Sequence, residues 1–371
     1  MSSAEQRAGA FLTIDVAAVV ANWRLLRDRL GRADCGAVVK ADAYGLGPER
    51  IAPALEAAGC RAFFVADLAE GMALRTWLQP ASRIFVLNGT PPGCKADFLA
   101  HALVPVVNTM AELSAWRTHA KMLGRRLPIA PQLDVGMARL GLEPTHAEAI
   151  AADPALLEGL DSVLTVGHLA CPDEPAHPAN AAQLAAFERL RALLPAAPAS
   201  LASSSGIFLG SDYHFDLARP GVALYGVDPT PGAVNPMRPV VSLTARVLQV
   251  RNVPAGAGVG YGQTATTARP SRLATISLGY ADGWPRGAAA SAWFQGERLP
   301  FIGRVSMDSI VLDATGVAAS LREGDRVELI GPHQSVDDVA RAAGTIGYEI
   351  LTSLGRRLHR TYAGEPSGAE A

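Results

Sequence analysis

Eight short apolar runs alternating with amphipathic helical stretches, then a Pro- and Gly-rich joint and a glycine-rich series of β-type segments, predict an α/β fold: an N-terminal (β/α)8 TIM barrel with a C-terminal mainly-β domain. The runs lie at residues 36–39, 61–65, 84–87, 104–107, 129–133, 163–166, 200–203 and 222–225. Each is continuous and bounded by turn residues, as a strand buried on both faces of a parallel sheet reads. Helical patterns fall between them at 15–30, 49–58, 69–78, 110–123 and 180–194, with Asp15 as N-cap of the first. A doubly wound open sheet shares this periodicity and is the second choice.

The joint is DPTPGAVNPM, residues 228–237. Beyond it, residues 240–253, 273–278, 311–313 and 326–330 read as strands and residues 336–354 as one helix. The barrel is therefore assigned to residues 11–237 and the β domain to 238–371. The tail after Tyr362 is rich in Gly and Ala and is expected to fray.

Composition narrows the function classes. Hydrophobic residues make up 49% and charged residues 18% of the 371, a balance that supports a large core. A net charge of −2 favours neither nucleic acid nor an anionic membrane as partner. The first ten residues, MSSAEQRAGA, lack the pattern of a secretory signal, and no apolar stretch is long enough to span a bilayer. Cys35, Cys60, Cys94 and Cys171 show no CxxC spacing and read as reduced thiols, so a cytoplasmic protein is expected. His101, His119, His177, His214, His333 and His359 have no metal-ligand spacing, and no metal is expected.

The strongest chemical signal is AVVKADAYGLG, residues 37–47. An apolar run ends directly in Lys40, which at the C-terminal end of a barrel strand faces the catalytic mouth. A partly desolvated amine there has a lowered pKa and serves as nucleophile or base. Gly45 and Gly47 let the chain turn close to a ligand. Taken alone, the lysine also fits a strand-end residue reaching into solvent.

This motif resembles the cofactor-lysine motif of the alanine racemase family. Further resemblances follow in order: LDVGMARLG (133–141), GHLACPDEP (167–175), Ser203–Ser205, RPGVALYG (219–226), GVGYGQT (258–264), SLGYADGWPR (277–286) and GRVSMDSIVLD (303–313). The resemblance implies pyridoxal 5′-phosphate (PLP) as cofactor, an amino-acid substrate, and a homodimer whose sites are shared between subunits. It also implies that residues 1–10 pack with the β domain. Lys40 then carries the cofactor as a Schiff base and serves the D-specific face, and Tyr261 of the partner subunit serves the L-specific face. A free phenol ionises only near pH ~10, so such a base needs neighbours that favour its phenolate. The resemblance supplies His168 for this, with Arg219 nearby.

The same resemblance assigns Arg219 to the pyridine nitrogen of the cofactor. An arginine stays protonated and disfavours a pyridinium, which keeps the ring a weaker electron sink and restrains side reactions such as transamination. Tyr44, Tyr348, Ser204 and the backbone N–H groups of Gly221 and Val222 are implied to hold the phosphate. Within the serine triplet the assignment has a latitude of one residue. Arg139 and the N–H of the partner subunit's Met307 are implied to hold the substrate carboxylate, with Asp308 helping to orient the site. Tyr280 and Tyr348 are implied to narrow the substrate passage.

The chain departs from the common family form at several positions. It has Asp42 and Leu46 where Asn and His are frequent, and Val135 and Ala138 where Thr and Gly are frequent. It has Gln132 where many relatives carry a lysine, often carbamylated, whose anion steadies the carboxylate-binding arginine. Glutamine cannot be carbamylated, so Arg139 is expected to be held by the Gln132 amide or by a bound anion. The function expected is racemisation of alanine, supplying D-alanine for peptidoglycan or serving alanine catabolism. The alternative is a serine, lysine or broad-specificity racemase of the same fold. A related PLP decarboxylase lacks the GYG tyrosine, and a PLP-binding homeostasis protein resembles the barrel alone.

Overall fold

The computed structural model describes residues 3–317 and 321–364. The chain forms two compact units. One is Val19–Arg238; the other joins the described residues up to Ala18 with those from Pro239 on.

The first unit is built on a closed parallel barrel. A strand broken at Gly36, Asp34–Cys35 and Ala37–Val38, is followed by Ala62–Val65, Arg83–Val86, Leu103–Val107 and Leu127–Pro131. Then come Leu160–Ser162 with Thr165–Val166, Ala199–Ser200 and Leu217–Ala218. Neighbours pair in parallel around the ring, helped by the bridges Gln132–Val166 and Ser203–Arg219. Leu217 and Ala218 close it by pairing with Asp34 and Cys35. Ala62–Val65 and Leu103–Val107 are buried at every position, which explains why their sequences are apolar without alternation. Gly36 sits where two neighbouring strands crowd: a Cβ there would lie 3.0 Å from both the Ala62 carbonyl oxygen and the Phe64 ring.

Helices Pro48–Ala57, Leu68–Arg75, Met110–Leu123 and Ala179–Arg191 fall where the apolar period puts them. Thr109 caps Met110–Leu123 by accepting from the Glu112 N–H, and Gly124 ends it at φ 62°. The eighth strand differs from the sequence expectation. Residues 222–225 form a buried 3-10 turn, Val222–Tyr225, and the strand is the two-residue Leu217–Ala218. A short apolar run between glycines fits either structure, and a two-residue strand before Arg-Pro leaves no periodic signal.

In the second unit, eight strands form one sheet system around the long strand Val241–Val253. That strand pairs antiparallel with Ala10–Asp15, Ser271–Ile276 and Arg326–Ile330. Ala10–Asp15 also pairs in parallel with His359–Ala363. Ahead of it, Glu5 makes a 3.0 Å ion pair with Arg326, and Arg246 donates to the Ala8 carbonyl. Asp15 accepts from the Ala18 N–H at 2.8 Å, capping helix Val16–Leu30. The single helix expected at 336–354 is two, Val336–Ala343 and Gly347–Ser353, because Gly344 adopts the left-handed conformation that ends a helix. Of the tail expected to fray after Tyr362, Ala363 still belongs to the last strand, and residues 365–371 lie outside the described residues. Among the described residues no helix is long and apolar enough to cross a membrane.

Candidate active site

Every site residue expected from the barrel stands just beyond the C-terminal end of a strand, the face where barrel loops converge. Lys40 follows Ala37–Val38, Arg139 lies in the loop after Leu127–Pro131, and His168 follows Thr165–Val166. Ser204 comes after Ala199–Ser200, and Arg219, Gly221 and Val222 come after Leu217–Ala218.

Lys40 leads into a left-handed helical turn. Ala41, Asp42, Ala43 and Tyr44 have φ values of 52°, 58°, 51° and 56°. Left-handed geometry costs roughly 1–2 kcal/mol per non-glycine residue, so the surroundings must impose the turn. The Asp42 carbonyl accepts from the N–H groups of Leu46 and Gly47 at 2.8 and 2.9 Å. The Ala41 N–H donates to Glu70 Oε1 at 2.6 Å. Gly45 and Gly47 do have positive φ, but the reversal is made before them by residues with side chains. The turn buries Tyr44 against Tyr225, ring centroids 4.7 Å apart, and the Tyr225 hydroxyl donates to the Val38 carbonyl. Lys40 itself is half-buried, and burial followed by the charge of Arg139 lowers its pKa.

Arg219 is 4% exposed. Its Nη1 donates to Ser200 Oγ at 2.5 Å and its Nη2 to the Gly167 carbonyl at 2.6 Å. Nη2 also lies 3.4 Å from His168 Nδ1. All three acceptors are uncharged, and among the described residues nothing accepts from Nε. Burial lowers its pKa to about 10, which still leaves it a cation near neutrality. Burial, then the charges of Arg219, Arg139 and Lys40, push the His168 pKa down to about 3. The imidazole is neutral, and with Nδ1 accepting from Arg219 its proton belongs on Nε2, which points a donor away from the arginine.

Ser204, 3% exposed, accepts at Oγ from the N–H groups of Gly221 and Ala223 at 3.0 and 3.2 Å. Its own hydroxyl proton is then free to donate. Among the described residues nothing accepts from the Val222 N–H. A Cβ at Gly221 would collide with the Tyr44 hydroxyl, so only glycine lets that hydroxyl lie against the backbone. A hydroxyl proton, a free backbone N–H and a close glycine make a cradle with the chemistry of a phosphate site. The unpaired Nε of Arg219 suits a neutral ring nitrogen, and Lys40 suits an aldehyde. The residues present fit pyridoxal phosphate.

Arg139 is exposed on a loop held by its own backbone. Asp134 Oδ1 accepts from the N–H groups of Gly136, Met137 and Ala138 at 2.9, 3.0 and 3.2 Å. Gly141, at φ 121°, passes so close to Asp134 that a Cβ would lie 2.6 Å from its nitrogen. Gln132 does not reach the guanidinium: its Nε2 donates to the Leu140 carbonyl at 3.2 Å and so steadies the loop. Among the described residues Arg139 has no hydrogen-bond or ion-pair partner.

The remaining expected residues belong to the second unit. Tyr261 opens the 3-10 turn Tyr261–Gln263 in the hairpin of Gly258–Val259 and Ala265–Thr266, and is 70% exposed. Tyr280 stands on the turn Tyr280–Asp282 and Tyr348 on the helix Gly347–Ser353; both are partly exposed. The Met307 carbonyl accepts from the Ala281 N–H at 3.0 Å, and among the described residues nothing accepts from the Met307 N–H. Arg357 ties these loops together, donating to Asp282 Oδ1 at 2.8 Å and Asp308 Oδ1 at 2.6 Å. Both carboxylates hold its pKa above the ordinary range.

Sequence reasoning missed Glu70, Ser200 and Arg357. Asp67 and Glu70 do read as a helix-start pair, D-x-x-E, but nothing local announces the second use of the Glu70 carboxylate.

The chain matches the family model for the N-terminal domain of alanine racemase over residues 14–229 and that for its C-terminal domain over residues 240–362. A catabolic alanine racemase of Mesorhizobium japonicum is 58% identical over 97% of this chain and 95% of its own length. A second catabolic alanine racemase, from Agrobacterium fabrum, is 48% identical over 97% of this chain and 94% of its own. A crystal structure of alanine racemase from Bartonella henselae with covalently bound pyridoxal phosphate superposes with a TM-score of 0.93 at 45% identity, covering 96% of this chain and 99% of that one.

Proposed function

Because this chain belongs to the alanine racemase family, we propose that it interconverts L- and D-alanine with pyridoxal 5′-phosphate held on Lys40. The observation that carries the reading is Arg219, a buried cation beside His168 that donates only to uncharged acceptors and keeps Nε–H unused. When bound, the cofactor supplies the electron sink that makes the alanine Cα–H acidic.

The chain's own groups divide the remaining work. Lys40 Nζ binds the cofactor and moves a proton on the D-specific face; burial and the charge of Arg139 lower its pKa, the direction that suits a base. The oxygen of Tyr261 of the partner subunit moves the proton on the opposite face. The neutral His168, with a donor at Nε2, is suited to hold that oxygen as a phenolate. Arg219 Nε donates to the ring nitrogen and keeps it unprotonated. Ser204, Tyr44, Tyr348 and the N–H of Val222 bind the phosphate, and Gly221, whose N–H donates to Ser204 Oγ, gives it a backbone without a side chain to lie against. Arg139 and the N–H of the partner subunit's Met307 take the substrate carboxylate. Tyr280 and Tyr348 narrow the passage and favour a small side chain. This division requires a homodimer.

The two catabolic relatives favour alanine degradation as the role; supply of D-alanine to peptidoglycan is the second reading. The test is incubation of the purified holoenzyme with L-alanine, and separately L-serine, in D2O. The expected result is deuterium at Cα with the D-enantiomer of alanine and far slower turnover of serine. Release of carbon dioxide, or no exchange, would overturn the reading, and equal rates on both substrates would replace it with a broad-specificity racemase.

A further inference from the structure

We propose that Glu70 is a positioning residue for Lys40, its carboxylate fixing the left-handed turn that aims the amine. The inference rests on the reading of Lys40 as a base. Glu70 stands on the helix Leu68–Arg75, and Oε2 accepts from the N–H of Ala66 at 2.8 Å and, more loosely, of Asp67 at 3.4 Å. That is the helix-start role its position dictates. The other oxygen is not needed there. Oε1 accepts from the Ala41 N–H, the first backbone group after Lys40, at 2.6 Å. Ala41 is also the first of four consecutive non-glycine residues with positive φ, a run that Gly45 continues. Across those four the turn has no intrinsic preference to hold it.

One carboxylate thus ties the start of the turn to the end of the neighbouring strand, Ala62–Val65. It also places a negative charge beside the amine, where it partly offsets burial and the charge of Arg139. A carboxylate can serve both ends of this bridge because each oxygen takes its own donors. A glutamine has a single acceptor oxygen. Glutamine is competent in the helix-start role, so Glu70→Gln separates the two functions: it keeps the cap and releases Ala41.

The test compares wild-type and Glu70→Gln holoenzyme, with Glu70→Ala as the variant that loses both roles. Isotope effects are measured with α-deuterated D-alanine, whose proton Lys40 takes, and with α-deuterated L-alanine. In Glu70→Gln the thermal midpoint stays near wild type and kcat falls by roughly tenfold, the scale of one charge-assisted hydrogen bond. The isotope effect rises with D-alanine and not with L-alanine. Unchanged kcat and isotope effects in a wild type that racemises alanine would overturn the inference alone. So would equal rises with both enantiomers, or a loss of activity that tracks a lowered midpoint. A wild type without racemase activity would overturn the reading of Lys40, and this inference with it.

Discussion

Arg219 Nη2 lies 3.4 Å from His168 Nδ1, a cation donating to a neutral imidazole. The contact fixes the histidine tautomer and turns its other nitrogen into a donor. In the proposed function these two adjacent side chains, one a cation near neutrality and one kept from charging, would link the cofactor ring to the tyrosine base.

The first prediction concerns pH. The His168 pKa is lowered to about 3 by burial, then by Arg219, Arg139 and Lys40, against an ordinary value of about 6.5 in the unfolded chain. Between those values the unfolded chain binds a proton that the folded chain does not. The contribution of neutral His168 is therefore complete above pH ~6.5 and is lost as pH falls toward ~3. Thermal midpoints recorded across that window are expected to fall less steeply for His168→Asn than for wild type.

The cradle gives a second. Gly221→Ala drives a methyl group into the Tyr44 hydroxyl, an overpacking expected to destabilise by about 1–3 kcal/mol and to weaken pyridoxal phosphate binding. Removing that hydroxyl with Tyr44→Phe in the Gly221→Ala background is expected to restore part of the stability. A double-mutant cycle read by denaturant unfolding measures the coupling.

Ser204→Ala provides a third. It removes the hydroxyl that gathers the Gly221 and Ala223 N–H groups and is expected to raise the dissociation constant for pyridoxal phosphate about tenfold. Equilibrium dialysis checks this, with kcat at saturating cofactor changing little.

How much of this was legible in the sequence depended on whether the signal was periodic or local. The alternation of buried strands and amphipathic helices marks a parallel α/β fold, barrel or doubly wound sheet alike, and the strand-end lysine follows from it. The eighth strand was misplaced because Leu217–Ala218 is too short to pattern, whereas the apolar turn at Val222–Tyr225 imitates a strand. The left-handed turn after Lys40 was invisible, since Ala, Asp, Ala and Tyr do not prefer it; distant partners such as Glu70 impose it. Arg357 drew no notice either, because its carboxylates are 75 and 49 positions away.

Gln132 yields the fourth prediction. Its amide holds the Leu140 carbonyl and not Arg139. Gln132→Ala is expected to raise the KM for alanine several-fold, about what one neutral hydrogen bond supplies, with a smaller change in kcat. Wild-type activity is expected to be independent of added bicarbonate; steady-state assays with and without it decide the point.

The central claim is that two different groups serve the two faces of alanine. Tyr261→Phe holoenzyme, followed by proton NMR in D2O, tests it most directly. Racemisation is expected to fall by about 10²-fold or more, the scale of a lost general base, while cofactor stays bound. D-Alanine is expected to exchange its α-proton with retained configuration, and L-alanine to exchange little. Full racemisation, or equal exchange from both enantiomers, would contradict the account.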